Sequence, residues 1–363
     1  MNKKPEKEII FLSMFLPEPN VPEAGQKLAF QRLNTMVESN ISVHLISFVN
    51  EREIAYLEHD RFSKCKTVHL IRITKFRRFY NLLKNPFLPL SIGIRTDKRI
   101  CKIVDDILSK IPDSSIHIEY AQGLQNIPNE KYPQVSLVLH DVISQSVDRF
   151  YTSETNFIKK LFLKFQRYLI INWEKKLLRV GNIITLNTKD QQIVTEIIGV
   201  PEGKVSIDYP SVDSKFKRVD RSRVEKETAI FWGAMNRKEN EDAVAWFISE
   251  IMPIILRKIP CFKLYVVGAS PSQYLKSLAN ESIVVTGFVE SPIEYFERAE
   301  VAVVPLRFGA GIKIKVLEAL EAKIPVVTTS VGAEGILTHL ERLHIADDNI
   351  SFAETVIKSI TRG

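Results

Sequence analysis

Short runs of apolar and β-branched residues alternate along the chain with stretches in which apolar residues recur at helical spacing. Apolar strands separated by helices are typical of parallel sheets that helices cover on both faces. The pattern predicts strands at Glu8–Phe15, Ser42–Phe48, Thr67–Ile71, Ile116–Tyr120, Val135–His140, Asn182–Leu186, Ala229–Gly233, Phe262–Gly268, Ile283–Thr286, Val301–Pro305, Pro325–Thr328 and Leu343–Ala346. It predicts helices at Gln26–Ser39, Asp97–Ser109, Asn156–Leu178, Lys189–Ile198, Glu241–Arg257, Ser272–Leu278, Pro292–Arg298, Ile312–Lys323 and Ser351–Ile360.

This repeated pattern predicts two doubly wound, Rossmann-like domains of the α/β class. Between the two blocks, residues 211–228 are charged, poor in apolar residues and without a clear period. We therefore expect an N-terminal domain at 1–210, a linker at 211–228 and a C-terminal domain at 229–363. Ligands of open α/β sheets bind beyond the carboxyl ends of the strands, so we expect the site in a cleft between the domains.

The net charge of +7 is unevenly distributed, since residues 1–180 hold 28 Lys and Arg against 19 Asp and Glu. A basic half is typical of proteins with an anionic partner. Residues 72–90 and 157–179 mix cations with aromatic and aliphatic residues, which predicts attachment to an anionic membrane surface. For 157–179 the alternative is a half-buried helix with a solvated basic face. No nucleic-acid partner is expected, because no known nucleic-acid-binding module is present.

Three scattered cysteines, Cys65, Cys101 and Cys261, have no spacing that suggests a disulfide framework or a zinc site, and they fit a reducing compartment. No apolar run is long enough to span a bilayer, and the run near the N-terminus is interpreted as the first strand rather than as a signal peptide. We expect a cytoplasmic protein that attaches peripherally to the inner face of the cell membrane.

One loop after a predicted strand, RFGAGIKIKVLEALE, combines glycines, lysines and a glutamate. Gly309 and Gly311 remove side chains just before a helix N-terminus, where backbone N–H groups and the helix dipole favour an anion. Lys313 and Lys315 add positive charge. Glu318, one turn beyond Lys315, is a carboxylate of the kind that accepts hydrogen bonds from ribose hydroxyls. The loop therefore predicts a nucleotide site, with amides and lysines for phosphate and a carboxylate for the sugar.

Less specific roles fit the same residues. Glycines often form a simple tight turn, and Lys315 with Glu318 can be a surface pair worth about a few tenths of a kcal/mol. Other motifs are incomplete: position 314, where G-x-G-x-x-G needs its third glycine, is Ile, and neither a P-loop nor G-x-S-x-G occurs. No D-x-D occurs either, so the usual metal–nucleotide-sugar motif is missing.

The segment PLRFGAGIKIKVLEALEAKIPVVTTSVGAEGI, residues 305–336, resembles the donor-binding region of retaining, GT-B-fold glycosyltransferases of family 4, the group 1 transferases. AIFWGAMNRKENEDAVAWFISEIMPII, FKLYVVGASP and IVVTGFVESPIEYFERAEVAVVPLR resemble other units of the same donor domain. In the first half, FLPEPNVPEAGQKLAFQRL resembles the family's glycine-containing first loop, and LVLHDV its strand ending in histidine. The resemblance covers nearly the whole chain and implies a GT-B fold.

The resemblance also implies roles for individual positions. The backbone around Gly25 is expected to approach the donor diphosphate, and Arg237 and Lys238 are expected to contact phosphate. Glu318 is expected to bind the nucleotide ribose, and His140 to lie near the transferred sugar. Judged from their own surroundings, His140 also fits a structural histidine at a strand end, and Arg237 and Lys238 fit a solvated loop.

The rest of the implied donor site lies in two loops of the second half. The segment ending at Val289 is expected to hold the base through backbone groups, and Gly309, Gly311 and Lys315 complete the donor-binding residues.

The chain departs from the family at one catalytic position. The family often has a second glutamate eight residues before the ribose-binding one, and that position is Ala310 here. We expect Arg307, Lys313 and Lys315 to take over its electrostatic role, which makes Arg307 and Lys313, with His140, the expected catalytic residues.

The expected activity is that of a retaining, metal-independent glycosyltransferase without a cofactor. It would move a sugar from a nucleoside-diphosphate sugar to a hydroxyl of a glycan or lipid-linked acceptor, in surface-polysaccharide or lipid-linked glycan synthesis. Two alternatives stay open: a nucleotide-sugar 2-epimerase of the same fold, and an inactive protein that binds nucleotides or glycans.

Overall fold

The computed structural model describes residues 8–21, 23–112, 114–309 and 311–361. Ala310, the position at which the chain departs from the family, lies outside the described residues. The chain divides into two units, Met1–Tyr209 and Pro210–Gly363. Each unit is built on its own parallel sheet.

In its described residues, the first unit contains one sheet of seven parallel strands. These are β1 (Glu8–Ser13), β2 (Ser42–Val49), β3 (Thr67–Arg72), β4 (Ser115–Glu119), β5 (Val135–Leu139), β6 (Asn182–Thr185) and β7 (Val205–Ile207). Their spatial order is β3-β2-β1-β4-β5-β6-β7. The helices are α1 (Ala24–Glu38), α2 (Glu51–Ile54), α3 (Lys75–Lys84), α4 (Leu90–Gly93), α5 (Lys98–Lys110), α6 (Ile143–Ser153), α7 (Phe157–Glu174) and α8 (Thr188–Gln192). Shorter 3₁₀ or π turns lie at Ala121–Asn126, Asn129–Gln134, Lys175–Arg179, Ile193–Ile197 and Glu202–Lys204.

The described residues of the second unit form a sheet of six parallel strands in the order β10-β9-β8-β11-β12-β13. These are β8 (Thr228–Trp232), β9 (Lys263–Val267), β10 (Ile283–Gly287), β11 (Val301–Val304), β12 (Val326–Thr328) and β13 (Leu343–Ile345). The helices are α9 (Ser214–Lys217), α10 (Lys238–Trp246), α11 (Met252–Lys258), α12 (Gln273–Ser277), α13 (Ile293–Arg298), α14 (Ile314–Glu321) and α15 (Asn349–Thr361). Short 3₁₀ or π turns lie at Arg221–Arg223, Phe247–Ile251 and Leu340–Arg342.

Both faces of the first sheet are buried, as a doubly wound fold requires. Successive residues of a strand point to opposite faces. On β1, Ile10 and Leu12 pack into one apolar cluster, whereas Phe11 packs into another. The α/β class inferred from the apolar runs is therefore confirmed, and each predicted strand is present to within a few residues at its ends.

Some elements were not predicted. The strand β7 has only three residues, too few for a period to show, and it pairs with β6 at the sheet edge. Helix α3 lies in the segment 72–90, for which the sequence predicted membrane attachment but no helix.

Residues 211–228, predicted as a linker, lie in the second unit. Phe216 of α9 is buried in the apolar core of that unit, and its ring centroid is 5.0 Å from that of Phe296. The Phe216 ring, together with hydrogen bonds from Arg221 to the Phe296 and Ala299 carbonyls, ties this otherwise charged segment to the second unit.

Candidate functional site

Glycines at the carboxyl edge of the second sheet allow three loops to pack closely. Gly268 has a φ of +145°, and a Cβ built on it would lie 1.8 Å from the Gly233 carbonyl oxygen. The Gly268 N–H donates to the Gly287 carbonyl at 3.2 Å. A side chain at position 268 would therefore force apart the loops that follow β8 and β9.

Lys315 turns its ammonium group into this edge of the sheet. Its Nζ donates to Asn240 Oδ1 at 2.6 Å and lies 4.4 Å from the centroid of the Phe231 ring. Asn240 in turn donates from Nδ2 to the Ala234 carbonyl at 2.7 Å, which keeps its Oδ1 available to the lysine. A Cβ at Gly233 would lie 2.8 Å from Nζ, so glycine leaves the room that the lysine occupies.

Burial lowers the pKa of Lys315 to about 7, and the positive charge of Arg237 acts in the same direction. A buried ammonium favours its neutral form unless a negative charge lies beside it. Its hydrogen-bond partner, Asn240, is neutral. A bound anion would therefore stabilise the charged form of Lys315.

Glu318 lies one turn further along α14, and a tryptophan holds it. The indole Nε1 of Trp232, the last residue of β8, donates to Glu318 Oε2 at 2.8 Å. This bond fixes the carboxylate beside the loop that follows β8. Lys315 and Glu318, predicted as phosphate and ribose ligands, thus lie together at the carboxyl edge of one sheet.

Lys313 caps the start of α14 and is itself buried. Its Nζ donates to the Gly311 carbonyl and lies 3.8 Å from the Glu334 carboxylate. Gly309 and Gly311 both have positive φ, +128° and +70°. The loop before α14 therefore needs its glycines for backbone reasons, whatever it binds.

Arg307 has an ion-pair partner within its own unit. Its guanidinium donates to both carboxylate oxygens of Asp242, at 2.9 and 2.6 Å, and lies 5.5 Å from the Trp246 ring centroid. The hydrogen bonds to Asp242 raise the pKa of Arg307. To act on a donor phosphate, Arg307 would have to share or leave this carboxylate.

The other predicted donor ligands of this unit lie in neighbouring loops. Arg237 precedes α10 and donates to Glu239 at 2.6 Å. Lys238 begins α10, with its Nζ 6.0 Å from the centroid of the Phe308 ring. Val289 follows β10 and packs partly buried against the apolar core.

His140 in the first unit belongs to a buried charge network. Its Nε2–H donates to Glu119 Oε2 at 2.7 Å, and His117 Nε2–H donates to Oε1 at 2.9 Å. Arg32 adds a contact to Oε2 at 3.4 Å. Burial alone would raise the pKa of Glu119, but the two histidine hydrogen bonds outweigh it and hold this pKa well below its usual range. The carboxylate therefore stays ionised and fixes the His140 ring.

Tyr120 holds the other side of the same ring. The Tyr120 and His140 rings are stacked with centroids 3.9 Å apart. Tyr120 has a φ of +75°, unusual for a bulky residue and more common at functional sites than elsewhere. A Cβ on Gly25 would lie 2.7 Å from Tyr120 Oη and 3.1 Å from His140 Nδ1. Gly25 and His140, predicted from distant segments, therefore meet in space.

Sequence reasoning missed several residues that position the predicted ones: Glu119, Tyr120, Trp232 and Asn240. Their only local signal is that each stands at or just after the carboxyl end of a strand, or in the first turn of the following helix.

Two features are absent from the described residues. No group of three His, Cys, Asp or Glu side chains there is placed to hold a metal ion. No helix in the described part of the chain is long and apolar enough to cross a membrane.

The family match is confined to the second unit, whereas similarity to individual proteins extends over nearly the whole chain. Residues 226–362 match the family model described as Glycosyl transferases group 1. Across 96% of its length the chain is 23% identical to a Klebsiella pneumoniae protein described as "Uncharacterized 44.6 kDa protein in cps region", and it covers 90% of that protein.

Solved structures share the fold at low sequence identity. Sucrose-phosphate synthase (tll1590) from Thermosynechococcus elongatus matches with a TM-score of 0.63 and 14% identity, over 98% of this chain and 90% of that one. Anabaena Alr3699/HepE in complex with UDP and glucose matches with a TM-score of 0.56 and 11% identity, over 98% and 90%. The chain therefore has the GT-B fold, and its residues 226–362 match the glycosyl transferases group 1 family.

Proposed function

We propose that this protein is a retaining, metal-independent glycosyltransferase that moves a sugar from a nucleoside-diphosphate sugar to a hydroxyl acceptor. One observation carries the proposal: the ammonium group of Lys315 and the carboxylate of Glu318 lie at the carboxyl edge of the second sheet, each fixed by a residue from the β8 side. Both fall within the residues that match the family model. The relative that binds UDP and glucose supports a nucleotide-sugar donor.

In this proposal Glu318 accepts hydrogen bonds from the ribose hydroxyls, and Lys315 lies against the donor phosphates with the N-terminus of α14. Arg237 and Lys238 add positive charge, and the backbone near Val289 holds the base. Negative charge develops on the diphosphate as it leaves, so cations already in place lower the barrier.

The chemistry needs no protein nucleophile. The departing phosphate takes the acceptor proton on the same face of the sugar, which preserves the anomeric configuration. His140 lies near the transferred sugar, and Glu119 keeps its ring in one orientation.

Exposed apolar residues on α3 and α7 support association of the protein with a membrane. Phe76 is 78% exposed, Phe157 is 79% exposed, and their helices also carry Lys75 and Lys159. The exposed apolar and basic side chains of these two helices fit peripheral attachment to an anionic membrane through residues 72–90 and 157–179. Together with the cps-region relative, it supports an acceptor in surface-polysaccharide or lipid-linked glycan synthesis.

Calorimetric titration with UDP and GDP, followed by donor turnover with and without acceptor, tests the activity. Donor consumption that requires an acceptor, unchanged by EDTA, with the donor's anomeric configuration kept in the product by NMR, is the expected result. Interconversion of the donor's sugar would instead indicate a 2-epimerase. Nucleotide binding without turnover on any donor or acceptor of a broad panel would indicate an inactive binding protein.

A further inference from the structure

Four arginines near the carboxyl edge of the first sheet divide into two pairs. Arg77 and Arg99 both donate to the buried carboxylate of Asp97, at 3.1 and 2.8 Å. Arg78 and Arg95 have no carboxylate within ion-pair distance among the residues that the structure describes. The same short stretch of chain thus contains two neutralised cations and two that are not.

Arg95 is the more buried of the second pair, with 8% of its surface exposed. Its Nη1 donates to the Met14 carbonyl at 3.0 Å, and its guanidinium carbon lies 3.8 Å from the centroid of the Phe15 ring. A buried charge without a counter-charge is costly. The chain supplies this guanidinium with one carbonyl and one ring face.

Arg78 lies on α3, within electrostatic range of Arg95. Burial, and after it the nearby charge of Arg78, lower the pKa of Arg95 to about 10. The Nε of Arg78 is itself buried and has no hydrogen-bond partner in the described part of the chain. Two like charges held this way repel each other, and an anion between them would relieve the repulsion.

Two more buried polar atoms lie on neighbouring elements. Ser91 Oγ and Gln122 Oε1 have no partner within the described residues. Helix α4, which contains Ser91, packs against both α3 and the 3₁₀ turn Ala121–Asn126, which contains Gln122. Buried polar atoms without partners are rare in folded proteins and often mark a place for water or a ligand.

A carboxylate near Arg95 does not satisfy it. Glu53 lies in electrostatic range of Arg95, yet its oxygens accept from the Asn50 N–H at 2.7 Å and from Gln26 Nε2 at 3.0 Å. Burial raises the pKa of Glu53, and its carboxylate is hydrogen-bonded to Asn50 and Gln26 rather than to Arg95.

Aromatic contacts connect the arginines to the predicted reaction site. The Phe15 ring that supports Arg95 lies 4.7 Å from the ring of Tyr120, which in turn stacks on His140. A group bound at Arg95 would therefore lie two rings away from the histidine that we place near the transferred sugar.

We infer that Arg78 and Arg95 bind a phosphate group carried by the acceptor. The inference rests on the proposed function, because it assigns a chemical class to the acceptor of that reaction. Planar guanidinium groups match phosphate oxygens with paired hydrogen bonds, and two adjacent ones suit a doubly charged phosphate. The phosphate can belong to a lipid carrier or to a soluble ester.

The test is calorimetric binding to the full-length protein in the presence of saturating UDP or GDP, whichever binds. The probes are geranyl phosphate and glycerol 3-phosphate, each paired with its neutral alcohol, geraniol or glycerol. We expect a phosphate-bearing probe to bind and its alcohol not to bind. Arg78→Gln should weaken that binding about tenfold or more, as expected for a lost charged hydrogen bond.

Lys102→Gln is the matched control, because it removes the same charge from an exposed position on α5, outside the segments assigned to membrane attachment. It should change the affinity less than about twofold. Arg95→Gln should weaken binding of the phosphate probe as Arg78→Gln does. Because Arg95 also supports the fold through its bond to the Met14 carbonyl, Arg78→Gln is the deciding variant. Tighter binding of geranyl phosphate supports a lipid-linked source, and equal binding supports a soluble ester.

Failure to bind either phosphate probe, or equal loss in Arg78→Gln and Lys102→Gln, would overturn the inference. The nucleotide titration separates this result from the proposed function. UDP and GDP affinities should be unchanged in Arg78→Gln. If the wild-type protein binds no nucleotide, the proposed function fails, and the same phosphate probes titrated alone still decide whether the arginines bind phosphate.

Discussion

Each of the two sheets ends in a cluster of charged side chains, but the clusters are arranged in opposite ways. In the first unit a buried carboxylate, Glu119, is surrounded by two histidines and Arg32. In the second, the ammonium of Lys315 is held by a neutral amide, Asn240. The first cluster is balanced within the protein and holds a ring in place. In the second, Lys315 is hydrogen-bonded to a neutral amide rather than to a carboxylate, and it is suited to receive a further anion.

Removing the charge of Glu119 should give the largest effect. Glu119→Gln replaces the buried carboxylate that accepts from His117, His140 and Arg32 with a neutral amide, and we expect a loss of about 3 kcal/mol in the free energy of unfolding. Urea unfolding measures it, with the exposed Glu341→Gln as the control. A loss no greater than that of the control would mean that the network contributes little.

The pH dependence of stability has a definite sign. The pKa of Glu119 is lower in the folded than in the unfolded protein. Its stabilising contribution is thus complete above the unfolded value of 4.5 and declines as the pH falls toward the lower folded value. Glu119→Gln should flatten the unfolding curve in this acidic range.

The second cluster is tested through ligand affinity. Glu318→Ala should weaken UDP or GDP binding by about 10- to 100-fold, since a carboxylate that accepts ribose hydroxyls is worth about 1.5–3 kcal/mol. Calorimetry measures the affinity. Glu321→Ala, one turn along the same helix and 3.6 Å from His339, is the control and should bind normally. Unchanged affinity in Glu318→Ala would contradict the ribose role.

A smaller effect is expected from crowding the first cluster. A methyl group on Gly25 would contact Tyr120 Oη at 2.7 Å and His140 Nδ1 at 3.1 Å. Gly25→Ala should therefore cost about 1–2 kcal/mol of stability and displace the imidazole. Gly203→Ala, where nothing lies within 4 Å of the added Cβ, provides the control for thermal unfolding. Equal melting temperatures would show that Tyr120 and His140 can move aside.

Proton uptake should give the smallest signal, and it tests whether a bound nucleotide supplies negative charge to Lys315. The pKa of Lys315 is about 7 in the protein alone. A bound diphosphate should raise it, so nucleotide binding at pH 7.5 should take up a fraction of a proton. Calorimetry in buffers of different ionisation enthalpy measures this uptake. Lys315→Met should abolish it and Lys238→Met should not; uptake that survives in Lys315→Met would assign it elsewhere.

The sequence predicted the two sheets because their strands are apolar enough to be recognised one at a time. It also brought Lys315 and Glu318 together, since three positions on one helix separate them. It could not supply their partners: Asn240 and Lys315 are 75 residues apart, and Trp232 and Glu318 are 86 apart. Such pairs depend on how strands are ordered in the sheet, which no local pattern specifies.

The first cluster was harder to predict for the same reason. The position of His140 at the end of its strand indicates a site residue. Glu119 lies in the strand IHIEY, and nothing in that local sequence indicates that its carboxylate is buried. The division of charge among the four arginines of 77–99 was equally invisible. Only the folded structure shows that Asp97 forms its ion pairs with Arg77 and Arg99 rather than with Arg78 and Arg95.

The positive φ of Tyr120 has a consequence for the imidazole of His140. Neighbouring residues of a regular strand project to opposite sides. Here Glu119 and Tyr120, adjacent in sequence, both contact one ring, the first through a hydrogen bond at its edge and the second across its flat side. The positive φ at Tyr120 allows both side chains to reach the same imidazole. This one backbone torsion therefore helps to fix the orientation of the His140 ring.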